Sequence, residues 1–211
     1  MRFNYNEIIE TASNINKRFG RMSYRENGGA SRANYIWDKK VLNFGSGDLQ
    51  KGDNLFFSKM ASDLSSVDNN PAVEADFKSL EEIKVDNHYD VIIAEHVLEH
   101  IPINEVDNIA FEFKRLVNEN GRLIITLPNI RNFGAWFCDH QHVNYAPPEQ
   151  IAAIFELHGF KTIDRFGWSK QSHFERHVKH IPEIQHFISF LRMEYGLEIW
   201  RYVTYILESK N

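Results

Sequence analysis

His96, Glu99 and His100 stand at i, i+3 and i+4, and His140 and His142 follow later in the chain. On a helix that spacing puts the first three side chains on one face. Imidazole and carboxylate together suit two chemistries: proton transfer, because imidazole titrates nearest neutrality among side chains, and ligation of a divalent metal. Upstream lie the glycine turn Gly45-Ser46-Gly47-Asp48 and two isolated carboxylates, Asp63 and Asp76. Glycine lets backbone approach a ligand without a Cβ, and a carboxylate accepts from paired hydroxyls or from an exocyclic amine.

The elements that must position these groups are read from apolar patterning. Val41-Leu42-Asn43-Phe44 is a buried strand running into the glycine turn, and Tyr89 to Ala94 is a second apolar, β-branched run leading into Glu95-His96. Arg122 to Leu127 and Phe160 to Phe166 read as further strands, and Trp200 to Leu207 as the last. Two more are expected between the glycine turn and Tyr89, one ending at Asp63 and one near Ala72 to Ala75 ending at Asp76. Helices are predicted over Tyr5–Arg18, on the face Val106, Ile109, Ala110, Phe113, Leu116 and Val117 with a stop at Asn120-Gly121, after Pro147-Pro148 up to Gly159, and around Ile184 to Leu191. Gly20 to Arg32 has no period and reads as an irregular segment or lid, and any helix over Leu49 to Ser58 is short. Alternating strands and helices imply a mostly parallel sheet with helices on both faces, whose ligands sit beyond the carboxyl ends of the strands. A glycine turn, two carboxylates and the Glu95-to-His100 segment at successive strand ends make a nucleoside site.

Composition narrows the classes. The 211 residues are 43% hydrophobic and 25% charged, without an apolar run of the ~18 residues a membrane span requires. With 24 basic and 29 acidic residues the net charge is −5, which disfavours a nucleic-acid surface and favours a small polar partner. The N-terminus lacks a signal-peptide core, and the single cysteine, Cys138, fits a reducing, cytoplasmic setting. The expected organisation is one domain over 1–211: an N-terminal helix and lid (1–35), a cofactor-binding core (36–166), and a C-terminal helix and last strand (167–211).

VLNFGSGD, Asp63-Leu64-Ser65, Glu74-Ala75-Asp76-Phe77, YDVIIAEHVLEHI and NENGRLIITLPN together resemble the successive motifs of class I S-adenosylmethionine-dependent methyltransferases. The GSGD turn and the short segment after it are similar to members found among polysaccharide and O-antigen genes. The resemblance implies an α/β, Rossmann-like, doubly wound sheet of seven strands, order 3-2-1-4-5-7-6, with only the last strand antiparallel. It implies that Gly45, Ser46 and Gly47 meet the methionine end of S-adenosylmethionine, Asp63 and Leu64 the ribose, Asp76 and Phe77 the adenine, and Glu95 and His96 the region of the sulfur, with S-adenosylhomocysteine as product. Asn43, where the family usually has an acid, and Leu49, where it often has a glycine, are departures. A dinucleotide fingerprint fails because G-x-G-x-x-G would need glycine at Gln50.

Asp139-His140-Gln141-His142-Val143-Asn144-Tyr145 resembles a run that superfamily members carry on the acceptor side, so His142, with His100, is the candidate for accepting the acceptor's proton. His96, Glu99 and His100, with His140 or His142 as a fourth ligand, also resemble the metal site of small-RNA 2′-O-methyltransferases. Glu-His after a fourth strand more often caps the next helix, so no metal is assigned. Trp136, Phe137 and Trp168 line either the acceptor pocket or the core, and His173, His177 and His180 receive no function. The expected activity is methyl transfer to oxygen or nitrogen of a small polar acceptor such as a sugar or nucleotide sugar. The alternatives are a non-catalytic domain of the same fold and a metal-assisted RNA 2′-O-methyltransferase.

Overall fold

The computed structural model describes residues 2–20, 22–25, 28–48, 52–84, 88–130, 132, 140–168, 181–183 and 201–210. Six strands build the body of the sheet: β2 (Lys40–Phe44), β3 (Asp63–Val67), β4 (Tyr89–Glu95), β5 (Val117–Pro128), β6 (Phe160–Trp168) and β7 (Tyr202–Ser209). A two-residue strand, β1 (Ser23–Tyr24), joins the outer edge of β6, giving the order β1-β6-β7-β5-β4-β2-β3. All neighbours are parallel except β7, which inserts antiparallel between β5 and β6.

Alternation along the central strands assigns each residue to one of two helical layers. Leu42, Ile92, Leu123 and Leu207 face the layer formed by α1 (Tyr5–Phe19), α4 (Ile103–Leu116) and α5 (Pro148–Leu157). Val41, Val91, Ile93, Ile124 and Ile206 face the opposite layer, where Ile36 of α2 (Gly28–Ile36) and Phe57 of α3 (Gly52–Met60) are buried. α4 buries Val106, Ala110, Phe113 and Leu116, one stripe at helical spacing. α1 begins with an Asn4–Glu7 capping box and buries Ile8, Ala12 and Ile15.

Four expectations change. The strand expected to end at Asp63 begins there, because 52–60 is helical and the chain needs Ala61 and Ser62 to turn into the sheet. No strand forms over Ala72 to Asp76; the residue after it, Phe77, makes one isolated bridge to Val67. Among the described residues the sheet is therefore six long strands with a two-residue addition at the other edge. Gly20 to Arg32 is not wholly irregular, since α2 starts at Gly28. α4 stops at Leu116, and Asn120, at φ 58°, instead turns an irregular stretch early in β5. The helix expected near Ile184 to Leu191 lies outside the described residues.

Candidate active site

β2 leads to two neighbours through connections of opposite sense: α3 returns the chain to β3 on one side, and β4 pairs on the other. That reversal opens a crevice beyond the carboxyl ends of the strands. Gly45 (φ 68°) and Gly47 (φ 57°) both adopt the left-handed conformation that glycine takes without strain. A Cβ on Gly45 would lie 2.5 Å from Val97 Cγ2, so the turn passes directly beneath the chain leaving β4. The Gly45 and Ser46 N–H groups donate to the Val67 carbonyl (2.8 and 3.2 Å), and the Gly47 N–H donates to Asp68 Oδ2 (2.8 Å). The glycine turn is thus tied to the end of β3.

A cleft of about 800 Å³ lies over these strand ends, lined by Phe44, Gly45, Val67 and Asp68 on one side and by His96, Val97, His100 and Ile101 on the other. Its far wall is Lys78 to Glu81. Hydrogen bonds from its own backbone N–H and from the Ser79 hydroxyl hold the Glu81 carboxyl below the usual glutamate range, so an anion stands at that rim.

The structure redistributes the expected cofactor residues. Asp63 pairs with Lys40 at the start of β2 while Val67 pairs with Phe44 at its end, so Asp63 and Leu64 lie toward the opposite edge of the sheet from the glycine turn. The carboxylate at the carboxyl end of β3 is Asp68, which sequence reasoning missed. Asp76 turns inward: its Oδ2 accepts from the Ser66 N–H (2.8 Å) and hydroxyl (2.7 Å), clamping its loop to β3. Phe77 continues that clamp through N–H donation to the Ser66 carbonyl at 3.0 Å, and neither residue is among the cleft lining. Gly45 and His96 line the cleft; Ser46 is buried.

Glu95, the last residue of β4, is ion-paired with Arg32 of α2. Arg32 is 1% exposed, and its guanidinium lies over the Trp168 ring, 4.8 Å from the centroid. Thr126 Oγ1 also reaches Glu95 Oε1 (3.4 Å), and Trp168 Nε1 donates to Thr204 Oγ1 (2.9 Å). Trp168 accordingly belongs to the core, where it packs beside Ile36 and Phe57.

Beyond Glu95 the chain makes a left-handed turn at His96 (φ 54°) and a single 3₁₀ turn, Leu98–His100. The ring of His96 packs edge-on against Tyr202 (4.6 Å), and its Nδ1 lies 3.4 Å from Glu99 Oε1. The loop 141–144 docks on this turn. Val143 and Asn144 N–H both donate to the Glu99 carbonyl at 3.0 Å, the Asn144 amide donates to the Leu98 carbonyl at 3.1 Å, and His100 Nδ1 meets the Gln141 carbonyl at 3.2 Å. His142 is thereby placed against His100, ring centroids 5.0 Å apart. Glu99, His100 and His142 converge, while Trp136, Phe137, Asp139, His173, His177 and His180 lie outside the described residues.

A left-handed glycine turn under an open cleft, a carboxylate after the second long strand and a polar segment after the next define a nucleoside-binding α/β domain of the methyltransferase type. A methyltransferase-domain family model matches residues 16–164, more than half of the chain, and the protein belongs to that family. No curated protein matches in sequence. In structure, the chain is similar to a SAM-dependent methyltransferase from Archaeoglobus fulgidus at TM-score 0.67 and 17% identity, covering 98% of this chain and 100% of the other. It is similar to the N-methyltransferase NodS from Bradyrhizobium japonicum WM9 (TM-score 0.57, 8% identity, 99% of each chain) and to the [4+2]-cyclase SpnF (TM-score 0.58, 14% identity, 97% and 94%). At these identities the likeness is one of fold, and the cyclase shows that this fold also carries other chemistry. The cofactor is S-adenosylmethionine. The residues present fit it: Gly45 meets the cleft with backbone alone, and Asp68 lines the same cleft with a carboxylate that offers acceptors.

Proposed function

We propose that the protein transfers the methyl group of S-adenosylmethionine to a small polar acceptor, with a sugar or nucleotide sugar as the favoured class. The observation that carries this reading is the convergence of Gly45, Asp68 and His96 on one cleft at three adjacent strand ends, in a chain of the methyltransferase-domain family. When bound, the cofactor supplies an already activated methyl on a sulfonium. The protein's own task is alignment and proton removal.

In this reading Gly45 to Gly47 approach the methionine end with backbone, and Asp68 takes the ribose role that the sequence suggested for Asp63. Its carboxylate keeps acceptor capacity beyond the bonds from Gly47 and Asn70 N–H, since two oxygens offer about four lone-pair sites. Leu80 and Ile101 offer apolar cover for the adenine, with Glu81 to accept from its amine. Glu95, held by Arg32, fixes the strand end from which His96 faces the sulfur. The acceptor enters on the side of His100 and His142, and its proton leaves there. A net charge of −5 and the lone cysteine favour a small-molecule partner and a cytoplasmic setting.

Calorimetric titration tests the assignment. S-adenosylhomocysteine is expected to bind and NAD not to. Asp68→Asn should weaken S-adenosylhomocysteine about ten- to a hundredfold, the worth of a hydrogen bond to a charged group. Asp63→Asn should leave affinity within about twofold. No binding of S-adenosylhomocysteine by the unaltered protein overturns the proposal, and binding without turnover across acceptor panels moves the protein to a ligand-binding role.

A further inference from the structure

We infer that Glu99, His100 and His142 bind a divalent transition-metal ion, and that this ion holds the oxygen of a hydroxyl-bearing acceptor beside the cofactor's methyl group. The second half rests on the methyltransferase reading; the first does not. One ligand atom from each of the three residues lies within 4.8 Å of the others. Bonds of about 2.0–2.1 Å around a tetrahedral ion set ligand atoms roughly 3.3 Å apart, a contraction that side-chain rotation supplies.

The buried carboxylate is the independent observation. Glu99 is 3% exposed, its Oε1 faces His96 Nδ1, and its Oε2 has no hydrogen-bond partner among the described residues. A carboxylate oxygen withdrawn from water and left unbonded is costly, and a cation is the partner that removes the cost. The histidine next to it is set up to donate electrons rather than a proton. A carbonyl can only accept, so the Gln141 carbonyl fixes the proton of His100 on Nδ1 and leaves the Nε2 lone pair for a metal, the arrangement in which metal-bound histidines are held. Both segments are pinned to each other before any ion arrives, through the Val143 and Asn144 N–H bonds to the Glu99 carbonyl and the Asn144 amide bond to Leu98.

The donor set decides the kind of ion. Two imidazoles and one carboxylate favour Zn²⁺, Mn²⁺, Fe²⁺, Co²⁺ or Ni²⁺ over the harder Mg²⁺ and Ca²⁺, which prefer oxygen throughout. Three protein ligands also leave coordination positions open. His100 lines the cleft with His96, Val97 and Gln141, so a group bound at an open position stands at the cofactor's cleft. There the acceptor hydroxyl, its acidity raised by the ion, loses its proton to solvent. Its oxygen bonds to the methyl carbon as the carbon–sulfur bond breaks, the electron pair staying on sulfur. This selects oxygen over nitrogen as the atom methylated.

The test uses the full chain without a histidine tag, stripped with chelator and titrated with Zn²⁺, Mn²⁺ and Co²⁺ by calorimetry, with the visible spectrum of bound Co²⁺ as a second readout. The expected result is one equivalent per chain, with affinity lowered at least tenfold by Glu99→Gln, His100→Ala and His142→Ala and unchanged by His140→Ala. Absence of saturable binding by the unaltered protein overturns the site whatever the variants do, as does binding that Glu99→Gln and His142→Ala leave intact. S-adenosylhomocysteine binding by the stripped protein and by each variant, measured in parallel, reports folding and the cofactor reading separately. If the metal binds and S-adenosylhomocysteine does not, the ion site stands and its role in methyl transfer falls.

Discussion

At the glycine turn a single Cβ decides whether the cleft can form. Gly45 combines a φ of 68° with Val97 atoms at 2.5 and 2.7 Å from the position a Cβ would take. Left-handed backbone costs an L-residue about 1–2 kcal/mol and forced overpacking about 1–3 kcal/mol more. Gly45→Ala should therefore lose several kcal/mol of stability in urea unfolding together with S-adenosylhomocysteine affinity. The neighbouring carboxylate was harder to read. Asp63 and Asp68 bracket Leu64-Ser65-Ser66-Val67, where two serines blunt the apolar signal of a strand, so the sequence places Asp63 at the strand's carboxyl end, whereas β3 begins at Asp63 and Asp68 follows its last residue. Counted to Asp68 instead of Asp63, the segment after Gly45 is not short. The only cue was Val67 directly before Asp68, an apolar residue running into an acid as Phe44 runs into Gly45.

Among the elements, α2 does the most with the least visible pattern. Its buried positions are Ile36 and Arg32, too few apolar residues to show a helical period. It is placed by tertiary contacts: Ile36 enters the cluster of Phe57 and Trp168, and Arg32 crosses to Glu95 at the end of β4. Removing one partner of a buried ion pair leaves an uncompensated charge, which typically costs about 3–5 kcal/mol. Arg32→Ala should lower the urea midpoint by that order, whereas Arg32→Met combined with Glu95→Gln should restore much of it. Equal losses in the single and double variants would show that the pair is not what holds α2. α4 and β4 were legible for the opposite reason. Their apolar residues recur at the period of the element, because each buries its own stripe or faces.

For the molecule as a whole, one buried acid ties the start of the N-terminal segment to two helices of the core. Asp107 of α4 accepts from the Arg2 N–H (2.6 Å) and pairs with His158 Nε2 (3.0 Å) at the end of α5. Burial alone would raise its carboxyl, but the hydrogen bonds from His158 and Arg2 outweigh burial and hold it below the ordinary aspartate range. A depressed folded-state value means the stabilisation is complete above the unfolded aspartate value near ~3.9 and is lost as pH falls through the folded one. Thermal melts of the unaltered protein should drop steeply in that acid range, and Asp107→Asn should melt lower at neutral pH with a shallower acid limb. A slope unchanged by the substitution would remove Asp107 from the cause. No helix among the described residues is long and apolar enough to cross a membrane.

What the sequence determined by itself was whatever is written locally. The glycine turn, the Tyr89 to Ala94 strand and the α4 stripe follow from patterning within one element, and the resemblance that implied the cofactor rests on several motifs, each of them local. The tertiary structure alone decided which acid reaches the cleft, that Asp76 clamps a loop instead, that Arg32 is buried against Glu95, and that His142 joins Glu99 and His100 while His96 turns toward Tyr202. These are contacts between segments distant in sequence. No local period encodes them, because their energy appears only when the sheet brings the strand ends together.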